Sequence, residues 1–210
     1  MRFFIFALSI VVASHTFAIS APLGEISQIH PSPAEMFSKW RTMLERQTSA
    51  SGQQCDIHPA KCLPSDILIK VELASSDNML IQLQQVNKIV NKVRYRSDKR
   101  QYGTTDYWAS PLEFFANGKG DCEDYSIAKY FALRALGVAS ADMRLIIAKD
   151  SKINEFHAVL SVKVGNQFYI LDNRTSRVKP DITLKNLKPI YALNESHWWL
   201  YKGAVQSLKG

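Results

Sequence analysis

The stretch GKGDCEDYSIAKYFALRALGV, Gly118 to Val138, sets a cysteine among acids: Asp121 precedes Cys122, and Glu123 and Asp124 follow it. The thiolate, not the thiol, is the nucleophile, and carboxylates beside the sulfur oppose its ionisation. Three chemistries fit a cysteine in this setting: an inert core thiol, a metal ligand, or a nucleophile whose acidic neighbours have a separate task. Further along, HAVLSVKVGNQFYILDN carries a histidine, His157, and an aspartate, Asp172, in an otherwise apolar pattern of period two. Gly165-Asn166 in its centre is a two-residue hairpin turn with Gly first, and such a turn fixes the register. With Val164 facing Gln167, Val159 faces Asp172 and His157 faces Arg174. His157 and Asp172 then project from one face, diagonally across the strand pair, at a backbone separation of about 7–8 Å that lets a carboxylate reach an imidazole nitrogen. The other face carries Ala158, Leu160, Val162, Tyr169 and Leu171, which suits a core.

Alone, that pair reads as a buried histidine satisfied by an aspartate. A thiol at a helix N-terminus changes the reading. Helix amides lower a thiol pKa, an imidazolium stabilises the thiolate, and a carboxylate holds the ring and its tautomer. The constellation is Cys122 as nucleophile, His157 as base and acid, and Asp172 as orienter. A zinc site built from the same three residues is the chemical rival, weakened because Asp172 is placed to support the histidine rather than to share a metal with it.

The elements that must position these groups follow from pattern. Ser32, Pro33 and Glu35 form a capping-box signature ahead of Met36, Phe37, Trp40 and Leu44, which recur at helical spacing. Residues 48–64 read as a polar loop, and Ser65 or Asp66 as the cap of a second helix. Asp77 to Tyr95 reads as a longer helix, RSDKRQYGTTDYW as a loop, and Ser110, Pro111 and Glu113 as another capping box ended by Asn117-Gly118. Helical periodicity resumes after Gly120 through Ile127, Tyr130, Phe131 and Leu133 and stops at Gly137, so Cys122 lies in the first turn of a helix of about four turns. MRLIIA from Met143 is a strand, and the hairpin follows. Helices first and an antiparallel sheet second argue for an α+β domain. HWWLY, His197 to Tyr201, reads as core packing.

The chain has 210 residues, 46% hydrophobic and 21% charged, enough for one globular domain with a substantial core. Met1-Arg2, the apolar run Phe3 to Ala13 and the small residues of SHTFAIS have the layout of a secretory signal. The run is too short to span a bilayer, so stable membrane insertion is not expected. Cleavage after Ala18 leaves residues 19–210 as a single exported domain. Without Arg2, 25 basic residues face 19 acidic ones, a net charge of +6. The basic residues are scattered rather than striped, which argues against nucleic acid and for solubility and steering of a partner. Among three cysteines, Cys55 and Cys62 bracket DIHPAK, and three arrangements stay open for them: a disulfide, two free thiols, or a metal site with His58. Under the first, Cys122 is left as a free thiol.

GDCEDYSIAKYFALRALG, FHAVL and LDN together, with DYWASPLEFFANGKGDCEDY, resemble the bacterial transglutaminase-like cysteine proteinases, and among them the periplasmic proteases of large adhesins. The resemblance covers most of the chain after the signal. It implies a papain/transglutaminase-like core, a Cys122–His157–Asp172 triad, and calcium-binding acids at Asp121 and Glu123 with Asp124. It also implies a Ca²⁺-dependent endopeptidase that cuts the N-terminal region of a large repeat adhesin between two alanines. The implied inhibitor is the periplasmic domain of a LapD-type inner-membrane receptor that senses cyclic-di-GMP. A transglutaminase or amidase acting through the same acyl-thiol step is the alternative.

Calcium gives the acids a task, since it takes hard oxygen ligands. No EF-hand spacing is present, so a bespoke site is expected, with favourable placement at the positive helix end as the competing reading. The backbone N–H of Cys122 is the first candidate oxyanion donor and the Trp108 indole the second; Tyr107 and Asp106 are candidates for the groove wall.

Overall fold

The computed structural model describes residues 20–32, 37–52 and 57–204. The expected signal segment, residues 33–36 and Cys55 lie outside the described residues. Helices come first: α1 (Ser38–Ser51), α2 (Ser65–Leu73), α3 (Met79–Val90), the short α4 (Asp98–Gln101), α5 (Pro111–Asn117) and α6 (Cys122–Ala135). An eight-stranded sheet takes the order β1-β2-β10-β9-β5-β6-β7-β8. Its strands are β1 (Ser20–Ala21), β2 (Gly24–Pro31), β5 (Met143–Asp150), β6 (Glu155–Val164), β7 (Gln167–Leu171), β8 (Lys179–Pro180), β9 (Leu187–Leu193) and β10 (His197–Tyr201). Every pairing within it is antiparallel. A separate parallel pair joins β3 (Arg94–Tyr95) to β4 (Lys119–Gly120). The α+β reading holds.

Period-two alternation makes both faces of the sheet apolar. Leu145, Leu160, Val162, Leu171 and Leu193 turn toward the helices, where Trp40, Phe131 and Leu133 meet them in one core. Ile146, Ala148, Val159, Ile170 and Ala192 turn the other way and pack with Ile26, Trp199 and Tyr201. The helix that Cys122 opens, α6, is buried from Glu123 to Leu133, and the charged Glu123, Asp124 and Lys129 are buried with its apolar residues.

Several expectations are corrected. The first helix is described from Ser38 with Phe37 at its N-cap and no side-chain cap. Ser32 has φ of 56° and donates its N–H to Ser196 O, so it ends β2 against the β9–β10 connection. The second helix starts behind Pro64, which has no side chain to cap it, rather than behind Ser65 or Asp66. The third runs Met79–Val90, shorter than 77–95, because Asn78 captures the Leu80 and Ile81 N–H groups and β3 takes over at Arg94. The 96–108 loop contains α4. Other expectations held. Ser110 Oγ accepts from the Glu113 N–H and Glu113 Oε2 from the Ser110 N–H, a full capping box. Gly118 ends α5 at φ 60°, a left-handed conformation glycine adopts without strain.

Candidate active site

Val164 pairs with Gln167 and Leu160 with Leu171, the register read from the turn. Asp172 follows β7 directly, and its Oδ1 lies 2.9 Å from His157 Nε2. Both side chains are buried. Oδ1 also accepts from the Arg174 N–H at 2.9 Å, and Oδ2 from Arg174 Nη2 at 3.3 Å. Arg174 reaches on to Asp150 Oδ2 at 2.9 Å, so it ties the carboxylate to the end of β5. Burial alone would raise the Asp172 pKa. The His157 hydrogen bond and charge, reinforced by Arg174, outweigh it and hold the carboxyl well below its ordinary range. With Nε2 taken by Asp172, Nδ1 is the ring nitrogen left for a reacting group.

Cys122 is the first residue of α6, and Asp121 is its N-cap. Cys122 and His157 line one cavity of about 400 Å³, whose walls include Trp108, Tyr95, Phe156 and Tyr191. The thiol donates to Glu123 Oε2 at 3.1 Å rather than to the imidazole. Burial first, and the Glu123 charge second, push the Cys122 thiol up; the Ala158 backbone N–H, beside His157 in the chain, pulls it down. The acids do oppose ionisation as expected, but desolvation is the larger cause.

The acids divide between two groups that share Asp98. Oxygens of Asp98, Asp121 and Asp124 lie within 4.8 Å of one another, and so do those of Asp98, Asp106 and Glu123. Asp98 Oδ2 accepts the Tyr107 N–H, Asp121 Oδ2 accepts the Asp98 N–H at 3.1 Å, and Asp124 accepts the Ala109 and Asp121 N–H groups at 2.7 and 3.1 Å. Two buried oxygens, Asp98 Oδ1 and Asp121 Oδ1, have no hydrogen-bond donor. Burial and mutual repulsion push Glu123 and Asp124 upward, and burial lifts Asp98 to about 6. Hard oxygens, like charge and orphaned acceptors together fit a calcium ion. Asp106, expected on the groove wall, does line the cavity, whereas Tyr107 does not; Asp98, and the nearness of Asp106 to Glu123, were not picked out from sequence, because acids in a loop carry no local periodicity to mark them.

Trp108 is buried against the cavity, and its indole N–H is donated to Asp106 Oδ1 at 2.9 Å rather than left for an oxyanion. Arg46 of α1 holds the Trp108 carbonyl at 2.6 Å. Cys62 is buried and disulfide-bonded, while Cys122 is the free thiol among the described residues. HWWLY packs as expected, with Trp199 and Tyr201 buried.

Gly120, just before this turn, has no room for a side chain. A Cβ there would stand 2.6 Å from both Asp124 Oδ2 and Phe114 Cδ2. Gly120→Ala is expected to cost about 1–3 kcal/mol through overpacking and to displace the α6 start. A urea-unfolding midpoint equal to that of the wild type would remove this steric reading.

No helix among the described residues is long and apolar enough to cross a membrane. The family model of the bacterial transglutaminase-like cysteine proteinases matches residues 46–197. No curated protein matches the chain. Among solved structures, Legionella pneumophila LapG is 34% identical over 79% of this chain and 91% of its own, with a TM-score of 0.60. The calcium-bound form of that protein matches at 32% identity over 75% and 87%, TM-score 0.59. Its EGTA-treated form matches at 33% over 76% and 86%, TM-score 0.60. Matched by that family's model over residues 46–197 and 34% identical to LapG, with a free cysteine opening a buried helix and His157 lining the same cavity, the chain belongs to the bacterial transglutaminase-like cysteine proteinases.

Proposed function

We propose that this cysteine protease is a calcium-dependent endopeptidase working through Cys122, His157 and Asp172. The observation that carries the reading is the 2.9 Å His157–Asp172 contact on the wall of the cavity that Cys122 opens into. His157 Nδ1 takes the thiol proton, and the sulfur attacks the scissile carbonyl. The backbone N–H of Cys122 faces the developing oxyanion. His157 then protonates the leaving amine and activates the water that hydrolyses the thioester. Asp172 keeps the ring oriented and its Nε2 protonated. Bound calcium would be held by Asp98, Asp121, Glu123 and their neighbours, and would supply positive charge that offsets the carboxylates beside the thiol. Glu123, released from the role of thiol acceptor, would leave the thiol proton to the imidazole.

The substrate in this reading is the N-terminal region of a large surface adhesin, cut between two alanines in the periplasm after export. Restraint by the periplasmic domain of an inner-membrane cyclic-di-GMP receptor completes it. The likeness to LapG at 34% identity supports the assignment. The test offers that adhesin region from the same cell to purified protein with calcium and with EGTA, and sequences the products. Cleavage that needs calcium and disappears in Cys122→Ala is the expected result. A labelled amine incorporated into a glutamine-rich acceptor, with no cut, would establish an acyl transferase instead.

A further inference from the structure

The parallel pair β3–β4 sets Arg94 beside Lys119 and Tyr95 beside Gly120, immediately ahead of Asp121 and Cys122. Around it the sequence KVRYRSDKR folds into a ridge of cations. Arg94, Arg96, Lys99 and Arg100 are exposed and Lys119 half-buried. The Arg96 guanidinium donates to the main-chain Arg100 O at 2.9 Å, Arg96 and Lys119 line one shallow depression, and Arg94 pairs with Lys119, so Arg94, Arg96 and Lys119 are neighbours in space, with Lys99 and Arg100 following on α4. None of them enters an ion pair among the described residues. The one acid within that stretch, Asp98, is buried and turned toward Tyr107 and Asp121. Asp106, on the far wall, is engaged by Lys39.

Assembling like charges without counter-ions works against the folded state and raises the local concentration of anions. One residue of this segment reaches the reaction cavity. Tyr95, 58% exposed, belongs to β3 and at the same time to the wall of the Cys122 cavity. An extended polypeptide gains about 3.3 Å per residue, so a chain lying across Cys122 and leaving past Tyr95 meets the arginines within a few residues of the bond being cut.

We propose that the ridge of Arg94, Arg96, Lys99, Arg100 and Lys119 is an exosite for an acidic stretch of the polypeptide substrate flanking the scissile bond. It rests on the endopeptidase reading above and adds to it a charge preference. The occupant is part of the substrate rather than a separate protein because Tyr95, between Arg94 and Arg96 in the chain, forms part of the cavity wall.

The test uses three labelled peptides of equal length with a central Ala-Ala, flanked by Asp and Glu, by Ser and Gln, or by Lys, with calcium in excess. Binding is followed by fluorescence anisotropy on Cys122→Ala, and cleavage on the wild type. At low salt the acidic peptide is expected to bind and to be cut on the order of tenfold better than the neutral one, with the lysine peptide worst. High salt should erase the advantage by screening. Arg94→Gln/Arg96→Gln/Arg100→Gln should erase it too, while cutting the neutral peptide as the wild type does. Equal binding of the three peptides, or a preference for acid that survives the triple variant, overturns the exosite. Tight acidic binding that does not speed cleavage relative to the neutral peptide also overturns it, by assigning the ridge to a separate acidic partner. Acidic preference in binding with no peptide cut keeps the exosite and sinks the endopeptidase reading; cleavage without preference does the reverse.

Discussion

Asp172→Asn is expected to lower kcat/KM by roughly 10³–10⁴-fold with little change in KM. The loss follows from which proton the ring keeps. Asp172 Oδ1 accepts from His157 Nε2 at 2.9 Å, so Nδ1 is free to accept from a thiol. An asparagine amide turned toward the ring donates to Nε2 and leaves the proton on Nδ1, the nitrogen that must act as base. In that orientation the amide nitrogen also faces the Arg174 N–H, which loses its acceptor, and the amide oxygen is left to the Arg174 guanidinium. The stability cost carries its own pH signature. The folded-state pKa of Asp172 lies below its ordinary 3.8, so its stabilising contribution is complete above that value and fades as pH falls through the folded pKa. Unfolding midpoints of wild type and variant should therefore differ at neutral pH and converge in acid. An Asp172→Asn enzyme with the kcat/KM of the wild type would exclude this residue from the machinery.

The second large effect runs in the opposite direction. Lys129→Met is expected to stabilise the protein by roughly 3–5 kcal/mol near neutral pH. Lys129 sits seven residues after Cys122, two turns along the same side of α6, and is fully buried. Its Nζ has no hydrogen-bond partner and lies 5.8 Å from the Tyr125 ring centre. Burial pushes its pKa from 10.5 down to about 7, against the pull of the Asp172 carboxylate. Folding at neutral pH therefore either buries a charge or strips a proton that the unfolded chain holds. Between those two pKa values the unfolded state binds more protons, so the wild type gains stability as pH rises. Below the folded value its penalty is constant. The advantage of methionine should accordingly be largest at and below neutral pH and shrink toward pH 10, which urea unfolding of both proteins at a series of pH values would measure. Equal midpoints at neutral pH would show that the ammonium is hydrated or paired in solution.

How much of this was legible in the sequence depends on the range of the interactions. The His157–Asp172 contact follows from one turn and one period, both local, and Cys122 at a helix start follows from Gly120 and the apolar rhythm behind it. Asp106 was legible as groove wall, but neither its place nor that of Asp98 among the clustered acids was. They reach the Asp121–Asp124 turn only because β3 pairs with β4 and because backbone N–H groups at 98 and 107 seek carboxylates. Strands β9 and β2 were hidden for a different reason. β9 carries Pro189 at a register shift opposite Ala148, which breaks the alternation a strand is recognised by. β2 takes its long partner, β10, from far away in sequence and leaves its own pattern mostly exposed. The basic residues looked scattered along the chain and become a ridge only once Lys119 is brought alongside Arg94.

The pairing of β2 with β10 sets an order of events. Ser27 Oγ donates to Leu200 O across 173 residues of chain, and the five matched positions of that strand pair are all comparably remote. Loops of that length close slowly, and contacts of such high order are made after local hairpins and helices have formed. The β6–β7 hairpin that carries the histidine, with the aspartate directly after it, can thus mature early, while the ribbon of β2 and β10 zips last.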